Sequence, residues 1–183
     1  MDKKQLRRKM KELRAALLPA YREESAFAVL ERLQGLPEFE AAETLFCYAS
    51  VGEELSTAAI AAAHPRVAYP KVFPDGTMRF YLGGELQPGF QGIPEPAGGD
   101  EVWPKEGDLM LLPGLAFGLC EGARLGYGGG YYDRYLAACP VLPIRCGIGY
   151  EEQVLRDPLP AEPHDQKMDL LVSPNKVIYF KEP

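Results

Sequence analysis

Leu109-Met110-Leu111-Leu112 is apolar without alternation, and beyond Pro113 the stretch Gly114 to Gly130 spends seven of seventeen residues on glycine. A strand with no polar face has to be covered on both sides, which is the habit of parallel sheets sandwiched by helices. Glycines in that number expose main chain rather than side chain. Together they predict a buried central strand running straight into a loop that offers its backbone to something else. The rest of the chain agrees. Further short strands are expected at Thr44–Ser50, Val67–Tyr69, Met78–Leu82, Arg145–Gly149, Leu170–Ser173 and Val177–Phe180. Helices are expected at Ala20–Leu36, with Phe27, Leu30 and Leu33 on one side, from a Ser56 or Thr57 cap to Ala63, and from about Gly130 to Ala138. Strands alternating with helices imply βαβ units and a mostly parallel sheet.

In such sheets ligands bind beyond the carboxyl ends of the strands. Chemistry is therefore sought in three loops, Ser50–Thr57, Pro113–Asp133 and Gly149–Asp169. The chain has 183 residues, 46% hydrophobic and 25% charged, which fits one folded unit. We expect a single domain over residues 1–183, with residues 1–36 as a helical arm packed on it.

Charge is uneven. Residues 1–14 carry a net +5 and the remainder −11. Leu6, Met10, Leu13 and Leu17 recur at helical spacing, so this basic segment should dock through one face and hold its cations toward an anionic partner or toward solvent. No apolar run reaches the ~18 residues of a membrane span, and no apolar segment of the signal-peptide kind follows the basic start. Cys47, Cys120, Cys139 and Cys146 form no CxxC pair, so they are expected to be reduced thiols, most of them in the core. A cytoplasmic protein is the expectation.

The glycine stretch closes as Arg124-Leu125-Gly126-Tyr127-Gly128-Gly129-Gly130-Tyr131-Tyr132-Asp133-Arg134. It is either a structural turn or a phosphate cradle at a helix start. It matches neither GxxxxGK[ST] nor GxGxxG. Asp133 in the first helical turn would repel phosphates unless a divalent cation stood between them, and Mg²⁺ with a second, distant carboxylate answers that need. Arg124 and Arg134 flank the loop and are candidates for neutralising transferred phosphoryl charge.

Leu112-Pro113-Gly114-Leu115-Ala116-Phe117 and the glycine loop resemble the 5-formyltetrahydrofolate cyclo-ligase family. So do Lys3-Lys4-Gln5-Leu6-Arg7, Glu54-Leu55-Ser56-Thr57, Gly92-Ile93-Pro94-Glu95-Pro96, Gly149-Tyr150-Glu151-Glu152-Gln153 and His164-Asp165, all in the family's order. The resemblance implies a Rossmann-like three-layer α/β/α fold. It implies ATP- and Mg²⁺-dependent closure of 5-formyltetrahydrofolate to 5,10-methenyltetrahydrofolate, with ADP and phosphate released. Phosphorylation of the formyl oxygen would make it a leaving group, and N10 would then attack. Carried onto this chain, Lys3, Lys4, Gln5, Leu6, Arg7 and Arg124, Leu125, Gly126, Tyr127, Gly128, Gly129, Gly130, Tyr131 and Tyr132 would contact ATP. Arg7, Val51, Glu54 and Tyr127 to Tyr131 would contact the folate, and Asp133 and Asp165 would hold Mg²⁺. Glu54 can accept paired hydrogen bonds from an aminopyrimidine edge, whereas Val51 only packs.

The family's Asp and shorter turn after Phe117 are replaced here by Gly118-Leu119-Cys120-Glu121-Gly122-Ala123, and Glu121 is left outside the expected site. A monomer with a small-molecule substrate is expected, without nucleic-acid or membrane partners. Two other readings of the residues compete. A non-catalytic nucleotide- or RNA-binding module is disfavoured by the net charge of −6. A sugar-phosphate isomerase would need no nucleotide. Neither His64 nor His164 builds a nucleophilic triad, and Tyr131, Tyr132, Tyr150 and Trp103 are either ligand platforms or packing.

Overall fold

The computed structural model describes residues 1–180. In chain order it contains α1 (Lys3–Ala15), α2 (Pro19–Gln34), α3 (Pro37–Ala41), β1 (Leu45–Phe46), α4 (Ala58–Ala62), β2 (Val67–Val72), β3 (Met78–Leu82), β4 (Leu86–Pro88), β5 (Pro94–Pro96) and β6 (Asp100–Val102). It continues with β7 (Leu109–Leu112), β8 (Ala116–Gly118), β9 (Arg124–Leu125), α5 (Tyr131–Ala138), β10 (Ile144–Ile148), β11 (Val154–Leu155), β12 (Leu170–Val172) and β13 (Val177–Tyr179).

The main sheet runs β13-β12-β10-β7-β1-β2-β3-β6. Its centre, β12 to β2, is parallel, while β13, β3 and β6 pair antiparallel at the edges. The two-residue period of the strands sorts their side chains between two cores. Leu45, Leu109, Leu111, Cys146 and Ile148 pack with Val29 and Leu33 of α2, Phe39 of α3 and Ile60 of α4. Phe46, Met110, Leu112 and Leu171 face the other way, onto Phe80 and onto Tyr135 and Leu136 of α5. All four residues of β7 are fully buried, as an apolar strand covered on both faces must be. The expected three-layer, mostly parallel architecture is present.

Local details differ from expectation. Of the expected inward face of α2, Leu33 is buried and Leu30 packs against the core, but Phe27 is 60% exposed, because the helix turns Ser25 and Val29 inward beside Leu33. The Thr57 side chain does not cap α4, since its hydroxyl donates to Tyr48 O at 2.7 Å. Of the cysteines, Cys47 and Cys146 are buried, but Cys120 is exposed. Helix α1 is not part of either main core. Leu6 and Met10 pack with Leu115, Ala116 and Leu125 on a small sheet ordered β11-β8-β9 that sits over the end of β7. The Gly118–Ala123 turn belongs to the β8–β9 hairpin, closed by Gly118 N donating to Ala123 O at 2.8 Å.

β1 is flanked by β2 on one side and by β7 on the other, so the connections leaving β1 and β7 diverge. That is the point at which an open α/β sheet forms a crevice.

Candidate active site

The crevice holds a cavity of about 630 Å³. Its walls come from α1 (Lys3, Arg7, Lys11), the loop after β1 (Tyr48, Ala49, Val51, Glu54), the loop after β9 running into α5 (Gly126 to Asp133), and the turn at Glu162–Asp165. The tip of the β4–β5 hairpin, Phe90, Gln91 and Ile93, adds a further edge.

The glycine loop ends at Gly130, which takes a left-handed conformation with φ 67° as the N-cap of α5. A Cβ at Gly129 would lie 2.6 Å from the Tyr131 ring, and one at Gly130 2.8 Å from Arg134 Nη1, so side chains are sterically barred there. The bare main chain beside α5 and the unpaired first-turn N–H groups of that helix suit an anion.

Arg7 Nε donates to Gly126 O at 2.9 Å, which ties the loop to α1. Arg124 spans the cleft floor. One guanidinium nitrogen donates to Pro113 O at 2.8 Å, another lies 3.4 Å from Asp133 Oδ1, and among the described residues its buried Nε has no hydrogen-bond partner. Asp133 Oδ1 also accepts from Gln166 N at 2.9 Å. Arg134 points elsewhere: its guanidinium donates to Gly129 O and Gly76 O and lies over the Tyr131 ring, bracing the loop from outside the cavity. Lys4 and Gln5 are exposed and absent from the lining, and Leu6 is buried beneath it. The side chain of Gln5 serves the capping box with Asp2.

Lys3 and Asp165 face each other directly. Lys3 Nζ donates to Asp165 Oδ2 at 2.7 Å and to Glu162 Oε2 at 2.6 Å. Burial works against the charge of Lys3, but its bonds to Asp165 and Glu162 prevail and hold its pKa above the ordinary value. Burial likewise opposes ionisation of Asp165, yet the bonds from Lys3 and from Glu162 N prevail and hold its carboxyl below the usual range. Ligand atoms of Glu162, His164 and Asp165 lie within 4.8 Å of one another.

On the opposite wall Glu54 Oε2 accepts from Val51 N at 2.9 Å, and Oε1 accepts from Tyr127 Oη at 2.6 Å. Burial, with the Glu54 charge beside it, raises the pKa of the Tyr127 phenol despite Arg14. The half-buried Tyr132 phenol is raised for the same leading reason.

Trp103 stacks on Tyr135 with ring centroids 5.1 Å apart, and Tyr150 stacks on Tyr21, so those two rings are spent on packing. His64 is buried and hydrogen-bonded to the main chain of Ala42 and Arg66. Glu121 meets Lys167 at 3.2 Å outside the cavity. Sequence reasoning gives the hairpin tip no place at the site, although Gly92–Pro96 is among the family-like segments, because its arrival at the cavity depends on tertiary packing. It also missed Arg14, although Arg7 and Arg14 are seven residues apart and therefore share a helix face.

The lining suits a phosphate with a divalent ion. Lys3, Arg7, Lys11 and Arg124 supply cations, Asp133 and Asp165 supply oxygen ligands, and among the described residues Arg124 Nε lacks an acceptor. The model of the 5-formyltetrahydrofolate cyclo-ligase family matches residues 1–174.

The chain belongs to that family.

Among cyclo-ligase relatives, the Saccharomyces cerevisiae 5-formyltetrahydrofolate cyclo-ligase is 38% identical over 78 residues, 40% of this chain. The probable Schizosaccharomyces pombe enzyme is 37% identical over 100 residues, 48% of this chain. These alignments span 36% and 48% of the respective relatives' lengths. The Aquifex aeolicus 5,10-methenyltetrahydrofolate synthetase structure superposes with TM-score 0.84 at 31% identity, covering all of this chain and 95% of that one. The Mycoplasma pneumoniae synthetase, at 24% identity and TM-score 0.75, covers 95% of this chain and 99% of its own and shares the fold. Among the described residues, no helix is long and apolar enough to cross a membrane.

Proposed function

We propose that the protein is a 5-formyltetrahydrofolate cyclo-ligase, forming 5,10-methenyltetrahydrofolate in the cytoplasm with consumption of ATP in the presence of Mg²⁺. Family membership names the class of reaction. The observation that carries the assignment on this chain is the convergence, in one cavity, of an oriented carboxylate (Glu54), a glycine-rich loop at a helix start, and four cations with Asp133 and Asp165 among the carboxylates.

Bound ATP and Mg²⁺ would supply a phosphoryl group that makes the formyl oxygen a leaving group for N10, and positive charge at the phosphates. Everything else falls to the chain. Arg7, Arg124 and the main chain from Gly126 to Tyr132 hold the nucleotide, and Arg124, already on the cavity floor, balances charge that develops during transfer. Arg134 serves by keeping the Gly129 carbonyl and the Tyr131 ring in place. Glu54 receives the aminopyrimidine edge, with Val51 packing beside it and Tyr127 to Tyr131 closing over the folate. Asp133 and Asp165 are the carboxylates that would hold Mg²⁺, which would neutralise phosphate charge, and Lys3, now bonded to Asp165, would face the phosphates. No protein nucleophile is needed, because the attacking nitrogen belongs to the substrate and positioning does the work.

The test is spectroscopic. Protein, ATP, Mg²⁺ and 5-formyltetrahydrofolate are expected to generate methenyltetrahydrofolate absorbance, lost when any one component is omitted. Product formed without nucleotide, or none with all four, rejects the assignment. Deleting residues 1–8 is expected to raise KM for ATP, and an unchanged KM would exclude α1 from the nucleotide.

A further inference from the structure

Arg14 lies in the last turn of α1 and is 7% exposed, a placement that costs a guanidinium its water and calls for a fixed partner. It has one. Nη1 donates to Tyr127 Oη at 2.6 Å, and the guanidinium carbon sits 5.5 Å from the centre of the same ring. Tyr127 Oη lies 2.6 Å from Glu54 Oε1. The direction of these bonds is forced. Arginine only donates, so the phenol oxygen accepts from it, and the single phenolic hydrogen goes to the carboxylate. The raised pKa of Tyr127 keeps that hydrogen in place across the neutral range.

With Val51 N on its other oxygen, Glu54 is held by one donor on each oxygen, leaving a free lone pair on each for two parallel N–H groups. Tyr127 itself has little else to anchor it. Its ring is 40% exposed, and it stands between Gly126 and Gly128, the latter at φ 108°. A loop of that composition keeps one conformation only where something grips it. Arg7 grips the Gly126 carbonyl and Arg14 the Tyr127 hydroxyl, both from one face of α1.

We propose that Arg14 is a positioning residue that acts through Tyr127 to lock the glycine loop onto Glu54, so that nucleotide binding on the α1 side of the cleft preorganises the folate-binding carboxylate on the other. The proposal rests on the function given above and adds to it a residue and a coupling. Coupling of this kind is reciprocal: nucleotide tightens folate by the factor by which folate tightens nucleotide.

Calorimetric titration of the full chain with 5-formyltetrahydrofolate, with and without a non-hydrolysable ATP analogue and Mg²⁺, decides it. In the unmodified protein the analogue is expected to tighten folate binding. R14M and Y127F are each expected to weaken folate about tenfold and to abolish the analogue's effect. The double variant should lose no more than about twofold beyond either single one, because both break one relay. In turnover, KM for folate should rise while kcat stays within about threefold, the pattern of lost substrate binding rather than lost chemistry. R14K, which restores a cationic donor, should recover part of the affinity.

Unaltered folate affinity and coupling in Y127F, or additive losses in the double variant, overturn the role of Arg14 while the cyclo-ligase reading stands. An unmodified protein that binds no 5-formyltetrahydrofolate removes both. If R14M does not fold, R14K decides, since it keeps the charge and most of the buried stem: folate affinity and coupling equal to those of the unmodified protein overturn the role of Arg14.

Discussion

The sheet interior and the cleft wall are built from opposite materials. Around β7 the contacts are apolar, fully buried and repeated on both faces, so no single one defines the arrangement. The cleft wall is held by a few charged hydrogen bonds between segments far apart in the chain: Lys3 to Asp165, Arg7 to Gly126, Arg14 to Tyr127, Tyr127 to Glu54. The interior supplies stability that pH and salt scarcely touch. The wall supplies geometry, and geometry of that kind can be switched by ligands, protons or one substitution. A catalytic cleft benefits from the division, because its contacts must be exchanged when substrates arrive while the scaffold stays still.

The largest expected effect separates the two regions. Leu111→Ala, at a fully buried position in β7, should cost about 3 kcal/mol, read as a fall in Tm of roughly 10 °C, with both KM values unchanged in the folded enzyme. A shift in KM at equal stability would mean that interior and wall are not separable. Next, Asp133→Asn should lose on the order of 100-fold in Mg²⁺-dependent turnover while Tm moves by only a few degrees. Retained turnover with a normal Mg²⁺ response removes Asp133 from the metal.

A smaller effect concerns pH. Asp165 has a depressed folded pKa, so its contribution is present above the ordinary value of ~3.9 and disappears as pH falls through the folded value. Lys3 has a raised one, so its contribution is complete below ~10.4 and disappears as pH climbs through the folded value. Amide exchange in the first turn of α1 should therefore accelerate at both ends of the pH scale, by the equivalent of about 1 kcal/mol or less, before sheet amides respond. Lys3→Met should leave that turn opening early at every pH and so abolish the pH dependence, and simultaneous opening of sheet and helix in the unmodified protein would refute it.

The mildest probe is chemical. Burial pushes the Cys47 thiol up to about 12 and Cys139 up to about 11, and raises Cys146 as well, so only exposed Cys120 should react quickly with a disulfide reagent at pH 8. A second fast thiol would show that the interior opens more readily than its packing implies.

Much of this molecule is legible in its sequence. Leu109–Leu112 announced a strand covered on both faces, and the spacing of Leu6 and Met10 announced a docked helix. The spacing of Leu30 and Leu33 marks the inward side of α2, but it fits Phe27 and Val29 equally well, and only the sheet beneath selects Val29. The strands of the Leu86–Pro96 hairpin are not legible as strands, because they are three residues long, contain proline and in β4 are exposed, so periodicity does not mark them. Within the site, residue types were readable but their pairing was not. The resemblance sends Lys3 to nucleotide and Asp165 to Mg²⁺, and the fold sets the two 2.7 Å apart as an ion pair.

Periodicity, glycine density and the distribution of charge are properties of neighbouring residues along one chain, and by themselves they determined the layered α/β class, the position of the glycine loop after the central strand and the basic face of the first helix. Which cation meets which carboxylate, that Arg134 braces the loop from outside while Arg124 lies on the floor, and that Arg14 reaches Glu54 through Tyr127 were decided only in three dimensions. Such bonds join residues up to 162 positions apart, and their partners are selected by the burial and orientation that packing imposes.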